Sequence, residues 1–187
     1  MTQRQTLLTA AITLLALLVF SGMHAFDRAT WMMEVFPVAI ALPVMWASYP
    51  RYPLTNLLYA CLFLHALVLI TGGAYTYAQV PLGFQIEELF HLSRNPYDKI
   101  GHFMQGFVPA LLAREIFIRG QFVHGSKLLA FLVICVALAI SAAYEIVEWT
   151  AAIVLGQGAD AFLGTQGYVW DTQSDMLFAL IGASTSL

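Results

Sequence analysis

The stretch of sequence that decides the fold is residues 128–155, LLAFLVICVALAISAAYEIVEWTAAIVL, which is apolar at nearly every position. A helix needs about 20 apolar residues to cross the hydrocarbon core of a bilayer, so this stretch predicts a transmembrane helix. It contains two carboxylates, Glu145 and Glu148, which are three residues apart and therefore lie on one side of that helix. A charged side chain at such a position is costly and indicates a functional site by default.

The composition of the chain extends the membrane prediction to the whole sequence. Hydrophobic residues make up 60% of the 187 residues and charged residues only 10%. Soluble domains contain about 45–50% apolar and about 25% charged residues. The net charge of −3 provides no basic surface for a nucleic acid. We therefore expect residues 1–187 to form a single integral membrane domain.

Further apolar segments predict an all-α, polytopic membrane helix bundle with about six transmembrane helices. The predicted helices lie near residues 7–23, 31–48, 54–71, 98–118, 128–155 and 171–187. The first segment also resembles a signal peptide, but Met23 is bulky where a cleavage site needs a small residue, so we expect a helix. Gly72 and Gly73 are expected to stop the third helix. Residues 84–90, FQIEELF, predict a short helix at the membrane interface.

The basic residues predict how the bundle is oriented, because Lys and Arg are enriched in cytoplasmic loops. A cytoplasmic N-terminus places five basic residues at the inner ends of the helices and three at the outer ends. The inner set is Arg4, Arg51, Arg114, Arg119 and Lys127, and the outer set is Arg28, Arg94 and Lys99. We therefore expect the N-terminus to be cytoplasmic.

In this orientation, polar side chains of the last three predicted helices fall at one depth of the membrane, and we call this set of residues the polar layer. At a rise of 1.5 Å per residue they occupy roughly its outer third. They are Asp98, His102 and Gln105 on the fourth helix, Glu145 and Glu148 on the fifth, and Asp171 and Asp175 on the sixth. Within each helix the spacing is three or four residues, which places the members on one side.

Carboxylates at one depth repel one another unless a positive charge or shared protons compensate. The local candidates for that charge are Lys99, Arg94, a protonated His102 and a bound cation. A divalent metal ion is one solution, since carboxylates and imidazoles on facing helices form the metal sites of four-helix bundles. The candidate ligands are His102, Asp98, Glu145, Glu148, Asp171 and Asp175. Two other interpretations stay open: a pathway for protons or ions, and a structural hydrogen-bond network. Asp98 and Asp171, each taken alone, also fit residues that cap a helix N-terminus.

Three motifs carry a resemblance to a known family. They are residues 97–103, YDKIGHF, residues 144–149, YEIVEW, and residues 171–176, DTQSDM. With these motifs the chain resembles, over its whole length, the YjdF-like bacterial inner-membrane proteins, a family of unknown function. From about Asp98 to Met176 it is also similar to the VanZ-like membrane proteins, which are associated with glycopeptide resistance. The resemblance implies an inner-membrane location and points to lipid-linked or envelope substrates.

These observations favour a metal-dependent membrane enzyme that acts on a lipid or on another envelope molecule. In that hypothesis Glu148 or Glu145 is the catalytic general base, which activates water beside the cation. The alternatives are a proton-coupled or cation transporter and a structural partner of an envelope protein. The expected partners are the lipid bilayer and a small envelope molecule, and no nucleic acid is expected.

Overall fold

A computed structural model describes residues 2–155, 166 and 168–187, and within these residues all regular secondary structure is α-helical. The helices are α1 (Gln3–His24), α2 (Arg28–Ser48), α3 (Asn56–Ala74), α4 (Pro81–Phe90), α5 (Tyr97–Arg119), α6 (Ser126–Leu155) and α7 (Asp171–Thr185). The prediction of an all-α polytopic bundle is confirmed. The short helix expected at residues 84–90 is present as α4, which begins three residues earlier, at a proline that suits the first turn.

Capping residues, and not the limits of the apolar runs, determine where the first three helices begin. The side chains of Thr2, Asp27 and Thr55 each accept a hydrogen bond from the backbone N–H three residues further on. Such caps satisfy N–H groups that have no partner inside the helix. The second helix therefore begins at Arg28, earlier than its apolar run suggests.

The expectation that Gly72 and Gly73 stop the third helix is wrong, because α3 continues through both to Ala74. The two glycines instead allow close packing. The ring of Tyr77 lies directly over Gly72, and a Cβ atom on Gly73 would come within 3.0 Å of the Cβ atom of Glu34. Glycine is needed here for the approach of neighbouring groups.

Among the described residues, α1, α2, α3 and α6 are long and apolar enough to cross a membrane. Much of their apolar surface is exposed, as expected for helices that face lipid. The remaining two helices of the predicted six differ for physical reasons. Helix α5 carries ionisable residues at both of its ends, and α7 has only 15 residues.

The bundle has two distinct ends. At one end, which we call the site end, α1 and α3 finish while α2, α5 and α7 begin; here the N–H of Phe26 donates to the carbonyl of Ala74. At the opposite end the Glu115 carboxylate accepts hydrogen bonds from the backbone N–H and the hydroxyl of Thr55. The two ends separate the three basic residues predicted to be outside from the five predicted to be inside.

Helices α5 and α7 run parallel and approach closely through small residues. A Cβ atom on Gly106 would overlap the carbonyl oxygen of Ala179, and one on Gly182 would overlap that of Phe103. Small residues at such positions let membrane helices pack backbone against backbone. The contact continues one turn further along, where Ala110 and Ala183 share an apolar cluster. We call this contact the α5–α7 seam.

Helix α6 packs against the seam with a stripe of its own. Val133, Ala137, Ser141 and Glu145 recur every four residues, and all four are buried. The stripe is apolar towards the opposite end of the bundle, where Val133 and Ala137 join the same cluster as Ala110 and Ala183. Towards the site end it becomes polar. The α5–α7 seam also changes from apolar to polar residues towards the site end, so the polar ends of α5, α6 and α7 meet.

Candidate metal centre

His102 lies at the centre of the polar layer. Its Nε2 atom is 3.4 Å from Asp98 Oδ1 and 3.9 Å from Asp175 Oδ2, and its Nδ1 atom is 3.8 Å from Glu145 Oε1. The Nδ1 atom is also 3.0 Å from the side-chain oxygen of Gln105. Three carboxylates from three helices therefore surround one imidazole.

The register of the α5–α7 seam explains this convergence. His102 precedes Gly106 by one helical turn, and Asp175 precedes Ala179 by the same interval. Because Gly106 and Ala179 are in backbone contact and the helices are parallel, the side chains one turn earlier are brought together. Asp98 joins them because it lies a further turn back on the same face of α5.

Asp98, His102 and Asp175 have the dimensions of a metal site. One potential ligand atom from each lies within 4.8 Å of the other two, and all three residues are buried. A transition-metal ion binds nitrogen and oxygen at about 2.0–2.2 Å, so opposite ligands are separated by about 4 to 4.4 Å. A small inward adjustment is enough for the three groups to share one ion. Carboxylates with one imidazole suit Mg, Mn, Fe or Zn.

Two carboxylate oxygens at this site have no hydrogen-bond partner among the described residues. They are Oδ1 of Asp175, whose residue is 3% exposed, and Oε1 of Glu145, whose residue is 9% exposed. A buried carboxylate oxygen without a partner is strongly destabilising. A bound cation or a proton is the kind of group that would satisfy both.

Asp171 is placed differently from the other predicted ligands. Its Oδ1 atom forms a buried ion pair of 2.5 Å with Nη1 of Arg94, and the guanidinium group of Arg94 lies over the ring of Tyr168. The negative charge of Asp171 is therefore compensated by an arginine. Asp171 lies one turn before Asp175 and is not part of the three-residue group.

Glu148 is half-buried and also lies outside the three-residue group. It occupies the turn of α6 next to Glu145, and Glu34, Glu145 and His102 are within its electrostatic range. The structure therefore places Glu148 beside the cluster without bringing its oxygens onto His102.

The sequence did not predict that Glu34 of α2 belongs to this region. Glu34 is buried, and its Oε2 atom accepts a 2.8 Å hydrogen bond from the hydroxyl group of Tyr144 on α6. Tyr144 immediately precedes Glu145, so this bond links α2 to the polar end of α6. The available signal was a lone carboxylate in an apolar helix, which should by itself have suggested a site.

Between α6 and α7 the structure describes residues 166 and 168–170. Gln166 is described, and it exchanges two hydrogen bonds with the backbone of Asn95. The side chain of Asn95 in turn donates to the carbonyls of Ala78 and Val80. Asn95 thus fixes the segment that leads into α5 and, with it, the position of Arg94.

The sequence matches a known family of membrane proteins over nearly its whole length. A family described as "Predicted membrane protein (DUF2238)" matches residues 6–187. The inner membrane protein YjdF of Escherichia coli strain K12 is 60% identical over 179 residues, which cover 96% of this chain and 86% of that protein. No solved structure matches the chain. The resemblance to the YjdF-like proteins is confirmed, and the chain belongs to the DUF2238 family of membrane proteins.

Proposed function

We propose that this protein is a metal-dependent enzyme of the bacterial inner membrane that acts on a lipid or another envelope molecule. The observation that carries the proposal is the convergence of Asp98, His102 and Asp175 beside buried carboxylate oxygens that lack hydrogen-bond partners. The similarity to an inner membrane protein supports the location.

The geometry suggests a separate role for each carboxylate. Asp98 and Asp175 would hold the cation together with Nε2 of His102, the ring nitrogen that both carboxylates face. Glu145 faces the other ring nitrogen, Nδ1, where a carboxylate would orient the imidazole from outside the ligand group. A divalent cation at this point supplies Lewis-acid activation of a substrate oxygen or of water. Glu148 is the candidate general base, since it is close by but outside the ligand group.

The interior of the bundle favours an enzyme over a transporter. A transported ion needs polar groups along its whole path, and here the described core residues of the α6 stripe are apolar below Ser141. Ala110, Val133, Ala137 and Ala183 close the space between α5, α6 and α7 in the direction of the opposite end. In this proposal a substrate would reach the cluster from the site end.

The orientation of the site is part of the proposal. The five basic residues Arg4, Arg51, Arg114, Arg119 and Lys127 lie towards the opposite end of the bundle. The tendency of basic residues to remain in the cytoplasm therefore favours a cytoplasmic N-terminus and a site end on the outer face.

Metal content and thermal stability of the full chain, purified in detergent, test the proposal. Wild-type protein should contain about one divalent ion per chain by elemental analysis, and a chelator should lower its melting temperature, since a ligand stabilises the state that binds it. Asp175→Asn should lose the ion and the response to chelator, and Glu145→Gln should weaken metal binding about 10–100-fold. Glu88→Gln is the matched control, because Glu88 is an exposed carboxylate on α4.

A structural network gives the opposite result. Asn and Gln keep the shape of the side chain and relieve the repulsion between like charges, so both variants would be neutral or stabilised. A wild-type protein that contains no stoichiometric metal and ignores chelator would refute the metal centre and the enzyme together.

A further inference from the structure

A second concave feature lies at the site end, between α4, α5 and α7. It is an open groove with a volume of about 550 Å³. Lys99, Phe103 and Phe178 line it together with Arg94 and Tyr168, whereas Asp98, His102 and Asp175 do not. The groove and the metal centre are therefore separate, although consecutive residues of α5 contribute to each.

The charge of the groove is strongly one-sided. Its lining includes two cations, Arg94 and Lys99, and no carboxylate among the described residues. Arg94 is paired with Asp171, which lies outside the lining, so the net positive charge comes from Lys99. The ammonium group of Lys99 lies 5.4 Å from the centre of the Phe178 ring. The described residues place no carboxylate within 4 Å of this ammonium group, so its charge is available to an anion.

The rest of the lining is apolar and extends along the helices. Phe103 lies one turn beyond Lys99 on α5, and Phe178 lies on the neighbouring face of α7. Helix α4, which forms the remaining wall, exposes Leu82, Phe84, Leu89 and Phe90. A short helix with such exposed residues is typical of the membrane interface. The groove thus has cations where lipid head groups lie and an apolar floor that leads away from them.

We propose that this groove binds an anionic phospholipid. Lys99 and Arg94 contact the phosphate, and one acyl chain lies over Phe103 and Phe178. This inference rests on the proposed function where it names the substrate class, a lipid phosphate held beside the metal centre. Arg94 connects the two places, because it lines the groove and pairs with Asp171 one turn before Asp175.

Native mass spectrometry of the full chain in detergent, titrated with dioleoyl phosphatidylglycerol or dioleoyl phosphatidylcholine, tests this proposal. Phosphatidylglycerol should bind at least about fivefold more tightly, and Lys99→Gln should weaken its binding about fivefold, the factor typical of one basic residue at an anionic surface. Lys127→Gln is the matched control, because Lys127 is exposed at the opposite end of the bundle. It should leave the affinity unchanged.

Three results would overturn the inference. The first is an equal affinity of Lys99→Gln and Lys127→Gln for phosphatidylglycerol, and the second is equal binding of the two lipids by the wild type. The third is displacement of the lipid by millimolar inorganic phosphate, which would indicate a site for free anions. Asp175→Asn separates this inference from the proposed function. This variant should still bind phosphatidylglycerol and should lose the metal. If the wild type binds the lipid but contains no metal, the lipid site in the groove is supported and only the enzyme proposal is refuted.

Discussion

Replacing Gly106 by alanine tests whether the α5–α7 seam positions the metal ligands. The added Cβ atom would overlap the carbonyl oxygen of Ala179, which is backbone and has no rotamer with which to move aside. The two helices must therefore separate, by about 1 Å if normal van der Waals contact is to be restored.

This displacement is large for a metal site and moderate for the fold. Ligand distances must be correct to about 0.2 Å, so moving Asp175 away from His102 by about 1 Å should lower the metal affinity at least about tenfold. Overpacking a core costs about 1–3 kcal/mol, which corresponds to a fall in melting temperature of about 2–12 °C for a domain of this size. The variant should thus remain folded but bind metal poorly.

Metal titration and a fluorescence thermal-shift assay measure the two effects on one preparation. Gly120→Ala is the matched control, since it lies at the end of the same helix and the atoms nearest to its Cβ atom would belong to the exposed ring of Phe122, a side chain that can move aside. It should change neither quantity appreciably. If Gly106→Ala binds metal as tightly as Gly120→Ala does, the seam does not set the ligand geometry and the reasoning is wrong.

Three further predictions concern neighbouring contacts. Arg94→Gln leaves the Asp171 carboxylate buried without its partner and should destabilise the protein by about 3 kcal/mol in thermal unfolding, while adding Asp171→Asn should restore much of the loss; no recovery in the double variant would contradict the ion pair. Tyr144→Phe removes the hydrogen bond to Glu34 and should cost about 1–3 kcal/mol; a melting temperature equal to that of the wild type would contradict its importance. Gln79→Cys, exposed near the start of α4, should react with an impermeant thiol reagent in intact cells, and labelling only in inverted vesicles would reverse the proposed orientation.

The composition of the polar layer was predictable because helix geometry is regular. The rise per residue placed the polar residues of three helices at one depth, and their spacing placed them on one side of each helix. The structure brings Asp98, His102, Glu145 and Asp175 into one cluster. Neither argument required any knowledge of how the helices pack against one another.

The charge pairing within the layer was not predictable in this way. Arg94 precedes α5 and reaches Asp171 at the start of α7, a contact between residues 77 positions apart. Helical periodicity says nothing about a residue in a connecting segment. The position of Arg94 depends on Asn95, whose hydrogen bonds to Ala78, Val80 and Gln166 fix that segment. A sequence treated helix by helix therefore offers Arg94 as one of several candidate counter-charges and does not pair it with Asp171.

Glu34 was overlooked because the predicted start of its helix was wrong. If the helix began near residue 31, Glu34 would lie in the first turn, where a carboxylate merely favours the helix dipole. The Asp27 cap moves the beginning to Arg28 and places Glu34 in the second turn, at the level of Tyr144. A shift of three residues at the start of α2 thus changes how Glu34 is interpreted, from a residue that favours the helix dipole to one that is buried in the bundle.

The register of α5 against α7 is the structural property on which the candidate site depends. His102 meets Asp175, Gly106 meets Ala179, and Ala110 shares a cluster with Ala183, so these three pairs have the same offset along the chain. Sliding α7 by one turn would place His102 against Ala179 or Asp171 and would put Ser186 or Phe178, both larger than glycine, in the place of Gly182. Close packing at Gly106 and Gly182 therefore excludes these alternatives. The glycines in the apolar part of the seam determine which carboxylate faces the imidazole in the polar part, and this dependence makes Gly106→Ala a test of the site as well as of the fold.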